Sequence, residues 1–197
     1  MDFQKVLNLR QSTRKYQGKQ ITEEELEKIL NGANKAPIGS NKYEDVHITV
    51  VQDKEVLLKL CEAAWERFSR RQYVEEIAGD TVDKSKPREM HNNLFYNAPT
   101  VIFISHREQD LQPGIEWANV TSIINQMHLK ATDLGLGSVY MWGALESMRM
   151  IPELDNTKLL NLPDGFKPLI ALAVGYPIEE LKERPIRHKN ITINRII

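Results

Sequence analysis

A chain of 197 residues with 41% hydrophobic and 27% charged content has the size and balance of one globular domain with a sizeable core. Its 26 Lys and Arg against 27 Asp and Glu leave a formal net charge of -1, so electrostatics give no reason to expect nucleic acid or an anionic membrane as partner. The longest apolar stretch, Leu169 to Val174, falls far short of the roughly 20 residues a bilayer span requires. Val6-Leu7 is broken at once by Asn8 and Arg10, which leaves no signal-peptide core. Cys61 is the chain's one cysteine and cannot form an internal disulfide, so a cytoplasmic, reducing location is expected.

Residues 2–9 read as a short helix ending before the polar cluster Arg10-Gln11-Ser12-Thr13-Arg14. Thr22-Glu23-Glu24-Glu25 is a capping box, and Leu26, Ile29, Leu30 and Ala33 follow at helical spacing. That helix is expected to stop near Lys35, because Pro37 disfavours helical geometry at Ala36. The turn-rich loop Ala36 to Asn41 then leads to a strand, Val46 to Val51. Asp53 can cap the next helix, whose apolar face carries Val56, Leu57, Leu60 and Ala64. Cys61 shares that face and reads as a small core residue rather than a nucleophile.

From about 68 to 93 the sequence is polar and weakly periodic, an expected excursion or lid. The basic cluster Arg67, Arg70 and Arg71 is interleaved with Glu66, Glu75 and Glu76, as on a solvated helix face. Thr100 to Ser105 is the second strand. The longest helix, about 115–134, bears the stripe Val120, Ile123, Ile124, Met127, Ala131 and Leu134, and Gly135 stops it. Val139 to Met141 is a short strand, a helical stretch is expected near 146–151, and Leu169 to Val174 is a buried strand. The alternating tail Ile191 to Ile197 reads as a final strand. Helices and strands mix without regular βαβ units, so the expected class is α+β, a single domain over 1–197.

Several chemistries are excluded by their missing motifs. Neither the dinucleotide glycine fingerprint nor the P-loop is present, and no Gly-x-Ser-x-Gly elbow marks a serine hydrolase. The five histidines lack metal-ligand spacing, so no metal site is expected. If the chain is an enzyme, a cofactor carries its hard chemistry. The pentad at 10–14 suits an anion, since two guanidinium forks flank hydroxyls and such forks match phosphate oxygens. Two arginines standing in solvent are the alternative.

Four segments in order resemble the nitroreductase family: Arg10-x-Ser12-x-Arg14; Ala36-Pro37-Ile38-Gly39-Ser40-Asn41; Leu134-Gly135-Leu136-Gly137-Ser138 with Tyr140-Met141-Trp142-Gly143; and Val174-Gly175-Tyr176-Pro177 with Lys182-Glu183-Arg184-Pro185. The resemblance implies a central, mostly antiparallel sheet flanked by helices, in an intertwined homodimer with two flavin mononucleotides (FMN) at its interface. Arg10, Ser12, Lys182 and Arg184 would hold the phosphate, with Arg187 a substitute for Arg184, and Arg14 would lie nearer the ring. Pro37, Ile38, Ser40 and Asn41 would reach the flavin bound mainly by the other subunit. Met141, Trp142 and Gly143 would form the turn beside flavin N5. The helix at 115–134 would form the dimer core, and the tail would add a strand to the partner's sheet.

The implied activity is hydride transfer from NAD(P)H through the flavin to an electron-poor acceptor, nitroaromatic or quinone-like, in a ping-pong cycle without a catalytic side chain. Ile38 and Tyr43-Glu44-Asp45 depart from the family's small polar residue and Gln-Pro-Trp, which puts the substrate side in question. The same fold used for dehalogenation, flavin breakdown or dehydrogenation is the alternative, as is a flavin-binding protein without turnover. Neither the acceptor nor the choice between NADH and NADPH is legible.

Overall fold

Two uninterrupted apolar runs, Val101 to Ile104 and Leu169 to Val174, organise the molecule. Thr100–Arg107 (β2) and Phe166–Gly175 (β4) pair antiparallel, and Val101 to Ile104 and Ala171 to Val174 are fully buried. Covering on both faces explains why neither run alternates. Val46–Val51 (β1) flanks β2 and Gly137–Met141 (β3) flanks β4, giving the order β1-β2-β4-β3 with every pair antiparallel. The computed structural model describes residues 1–69, 94–109, 113–143, 145, 156–184 and 191–196.

Each helix begins or ends where its sequence says. Phe3–Leu9 (α1) is capped by Asp2, which accepts from the Lys5 N–H. Glu23–Ala33 (α2) has the full capping box: Thr22 Oγ1 accepts from Glu25 N–H at 3.2 Å, and Glu25 Oε2 accepts from Thr22 N–H at 2.8 Å. Lys54–Ser69 (α3) starts at Asp53, whose Oδ1 accepts from the N–H of Glu55 and Val56. Ile115–Asp133 (α4) stops at Gly135, at φ 76°. There Leu136 N–H donates to Ala131 O and Gly135 N–H to Thr132 O, both at 2.9 Å, the double bond pattern that a left-handed glycine makes possible. The α4 helix lies on β2, β3 and β4, and α2 packs against α4. Leu57, Leu60 and Cys61 of α3 are buried in the same core.

Three departures from the sequence reading have physical causes. The β4 strand begins at Phe166 and takes Pro168 inside it. The β2–β4 register shifts between Ile104 and Ser105, and β3 reaches only Ala171 to Gly175, so the missing proline N–H breaks no β3–β4 ladder bond. The β3 strand begins at Gly137 rather than Val139, lengthened by its pairing with Gly175. Residues 191–196 form no strand within this chain, and Ile191, Ile193 and Ile196 are exposed. Most of the expected excursion, the helical stretch near 146–151 and Arg187 lie outside the described residues. Among those described, no helix is long and apolar enough to cross a membrane.

Candidate functional site

The end of the pentad is bonded to β3, and residues 15–17 that follow it are bonded to the segment after β4. Thr13 N–H donates to Ser138 O at 3.0 Å, Gln17 N–H to Tyr176 O at 2.9 Å, and Ile178 N–H to Lys15 O at 3.3 Å. Farther on, Arg184 N–H donates to Asn8 O at 3.0 Å, which returns the loop 178–184 to the last turn of α1. A cavity of about 440 Å³ lies between the pentad and the segment after β4, and Ser12, Arg14, Lys182 and Arg184 line it. Residues far apart in sequence are thereby held by backbone bonds, which leaves their side chains available to a ligand.

Close backbone contact makes this arrangement possible. A Cβ at Gly137 would stand 2.5 Å from Thr13 Cγ2, and one at Gly175 would stand 2.7 Å from Pro99 Cδ. Both glycines are therefore required by space rather than by φ. Buried Tyr16 donates its hydroxyl to Thr13 O at 2.7 Å and reaches Ala173 O at 3.3 Å. Burial pushes its pKa upward, so the phenol stays a donor.

The cations of the site differ in how they are held. Arg14 is exposed and lies over the Tyr96 ring, 5.7 Å from its centroid. Lys182 pairs with Glu179 at 3.8 Å, but both are more than three-quarters exposed, a setting in which an ion pair adds little. Arg10 is half-buried and is not among the residues lining the cavity. Its Nη1 donates to Nε2 of His128 at 3.2 Å. A guanidinium can only donate, so this His128 nitrogen accepts, the ring is neutral, and Nδ1–H donates to Ser138 Oγ at 2.5 Å. Burial first, and the Arg10 charge second, push His128 from the ordinary 6.5 down to about 4.

The loop at 36–41 lies elsewhere. Gly39 N–H donates to Asn119 Oδ1 at 2.9 Å, Asn119 Nδ2–H donates to His106 Nε2 at 3.0 Å, and His106 Nδ1–H donates to Arg107 O at 2.6 Å. Asn119 precedes His128 by nine residues on α4, about 13 Å along the helix. Ile38 is buried, whereas Pro37, Ser40 and Asn41 are exposed. Ser40 and Asn41 both adopt left-handed backbone, at φ 55° and 54°. A Cβ on Gly39 would meet Ile115 Cδ1 at 2.7 Å, so this glycine admits the first turn of α4. Of the third segment, Met141 is buried, Trp142 is 48% exposed, and a Cβ at Gly143 would meet no atom.

The structure thus joins Ser12, Arg14, Lys182 and Arg184 around one cavity and seats Arg10 beside it on His128. It does not bring Pro37, Ile38, Ser40, Asn41, Met141, Trp142 or Gly143 onto that lining within one chain. Sequence reading missed His128, Ser138 and Tyr96. The one available signal was His128 itself, a polar residue four positions after Ile124 on the apolar stripe of α4.

Known proteins share this architecture end to end. A crystal structure of a Bacteroides fragilis nitroreductase with bound FMN superposes with a TM-score of 0.76 at 26% identity, covering 99% of this chain and 100% of that one. A Desulfitobacterium hafniense nitroreductase with bound FMN gives a TM-score of 0.78 at 22% identity, covering 99% of both chains. A protein of Archaeoglobus fulgidus, provisionally named an NADH dehydrogenase/NAD(P)H nitroreductase, is 28% identical over 179 residues, 89% of this chain and 86% of that protein. Residues 7–176 match the nitroreductase family, a span that includes the pentad and ends just before the Lys182–Arg184 loop; the chain belongs to the nitroreductase family.

Proposed function

We propose that the cavity binds FMN by its phosphate and that the chain is an FMN-dependent oxidoreductase. It takes electrons from NAD(P)H and delivers them to an electron-poor acceptor, nitroaromatic or quinone-like, in a ping-pong cycle. The supporting observation is the donor set: two hydroxyl, two guanidinium and two ammonium side chains line one cavity. Among the described residues neither Arg14 nor Arg184 forms an ion pair, and the Lys182 pair is exposed. Glu179, Glu180 and Glu183 also border the cavity and oppose an anion. A phosphate outweighs them, because it combines about two negative charges with three acceptor oxygens and draws charge-assisted bonds from several forks at once. The residues present fit the group.

Bound FMN supplies the redox chemistry, accepting hydride from the nicotinamide and passing electrons to the second substrate. The chain's own residues bind and orient. Arg10, Ser12, Lys182 and Arg184 hold the phosphate. Arg14, braced on Tyr96, serves the ring side, where a fixed positive charge favours added negative charge. Pro37, Ile38, Ser40 and Asn41 serve the flavin of a second subunit in a homodimer, in keeping with their separation from the Arg10 anchor along α4. Met141, Trp142 and Gly143 serve the ring edge. Residues 1–197 act as one FMN-binding domain, and the lone buried thiol of Cys61 suits a reducing cytoplasm.

Stopped-flow mixing tests the cycle. NADH or NADPH should bleach the bound flavin with a saturating rate, and a nitroaromatic or quinone added afterwards should restore it without nicotinamide present. Flavin that neither nucleotide reduces would leave a binding protein, not an oxidoreductase.

A further inference from the structure

We propose that His128 is a positioning residue for the anion site: its neutral ring fixes the Arg10 guanidinium where it can serve a bound phosphate. The inference rests on the FMN reading and adds to it a residue that touches no ligand. Three observations carry it. First, the direction of every bond is determined. Arg10 Nη1–H donates to Nε2, so Nδ1 bears the ring proton and donates it to Ser138 Oγ. Second, the remaining Arg10 guanidinium N–H groups have no partner among the described residues, although the residue is half-buried. A half-buried cation with unspent donors is costly without a ligand and ready for one. Third, the imidazole is bonded into the same frame as the pentad. Ser138 accepts from His128 through its hydroxyl and from Thr13 N–H through its carbonyl, and it pairs in parallel with Ser12.

The physical effect is a loss of freedom before binding. An arginine side chain that must be immobilised by its ligand spends part of the interaction on ordering itself. Here one end of the fork is already held by a side chain that is 5% exposed on a long helix. A ring protonated at both nitrogens could not do this, since it would present N–H to N–H. An aliphatic side chain could not either, since it offers no acceptor.

The test compares FMN with riboflavin, which carries the same ring and no phosphate. Dissociation constants are measured by flavin fluorescence for the wild type, His128→Leu, His128→Gln, Arg10→Ala and the double variant Arg10→Ala/His128→Leu. His128→Leu should weaken FMN about tenfold and leave riboflavin unchanged. His128→Gln, whose amide oxygen can accept from Arg10, should recover most of the FMN affinity. In the Arg10→Ala background the leucine should add nothing further. Equal FMN affinity in wild type and His128→Leu would overturn the proposal, as would a parallel loss for FMN and riboflavin, which marks a general structural defect. A wild type that binds no FMN at all would overturn the flavin reading and this one together, a result distinct from either.

Discussion

Acidification should cost this protein stability through His128, and the size of the loss follows from the ring's surroundings. The imidazole titrates at the ordinary 6.5 in an unfolded chain and at about 4 in the folded one, depressed by burial and then by Arg10. Above pH 6.5 neither state binds the extra proton, and the group's protonation does not alter stability. Between 6.5 and about 4 only the unfolded chain takes the proton up, so stability falls as pH falls. Below that window both states are protonated and the loss levels off. At about 1.36 kcal/mol per pH unit, the whole window amounts to roughly 3 kcal/mol. That is a large share of the roughly 5–15 kcal/mol that holds a domain folded. Urea denaturation of wild type and His128→Gln from pH 7.5 down to 4 isolates this contribution, because glutamine keeps an acceptor for Arg10 and does not titrate. The stability difference should move in favour of the variant by roughly 3 kcal/mol between pH 7 and pH 4. Parallel curves would refute the buried, neutral histidine and the bond directions built on it.

Gly137→Ala should lower stability by about 1–3 kcal/mol in urea denaturation, because its Cβ would overlap Thr13. Unchanged stability would mean that the pentad does not rest on β3. Asn119→Leu leaves Gly39 N–H and the buried His106 Nε2 without their partner. It should cost about 1–3 kcal/mol for each orphaned group and speed amide exchange at Gly39; exchange at the wild-type rate would remove Asn119 from the control of that loop. Arg14→Ala should weaken FMN binding and make the flavin harder to reduce, and an unchanged midpoint potential would take Arg14 away from the ring side.

Local signals in the sequence were physical ones and survived folding. The Thr22–Glu25 box, the Asp53 cap and the Gly135 stop each depend on a side chain or a left-handed glycine within a few residues of the helix end, so they were readable in place. The run Leu169 to Val174 within β4 was legible in place too, since burial on both faces leaves no polar residue in it. What escaped depends on partners distant in sequence. Pro168 enters β4 only because β3 is short and the register shifts at Ser105. The alternation of Ile191 and Ile193 suggests a strand, but among the described residues the tail at 191–196 has no ladder partner. At the site, Ser12 and Arg14 stand out by residue type and Lys182 and Arg184 by the order of the four resembling segments, and all four line one cavity. The Arg10–His128–Ser138 chain was not, because it needs α4 to present one histidine toward the start of β3, and nothing in local spacing marks that meeting.

The central claim is that the cationic cavity holds FMN, and one visible absorption spectrum tests it most directly. The purified protein is mixed with FMN, the excess is removed, and the spectrum is recorded. A retained flavin band near one equivalent per chain is the predicted result. A colourless protein that refuses added FMN would contradict the account, and the oxidoreductase reading would fall with it.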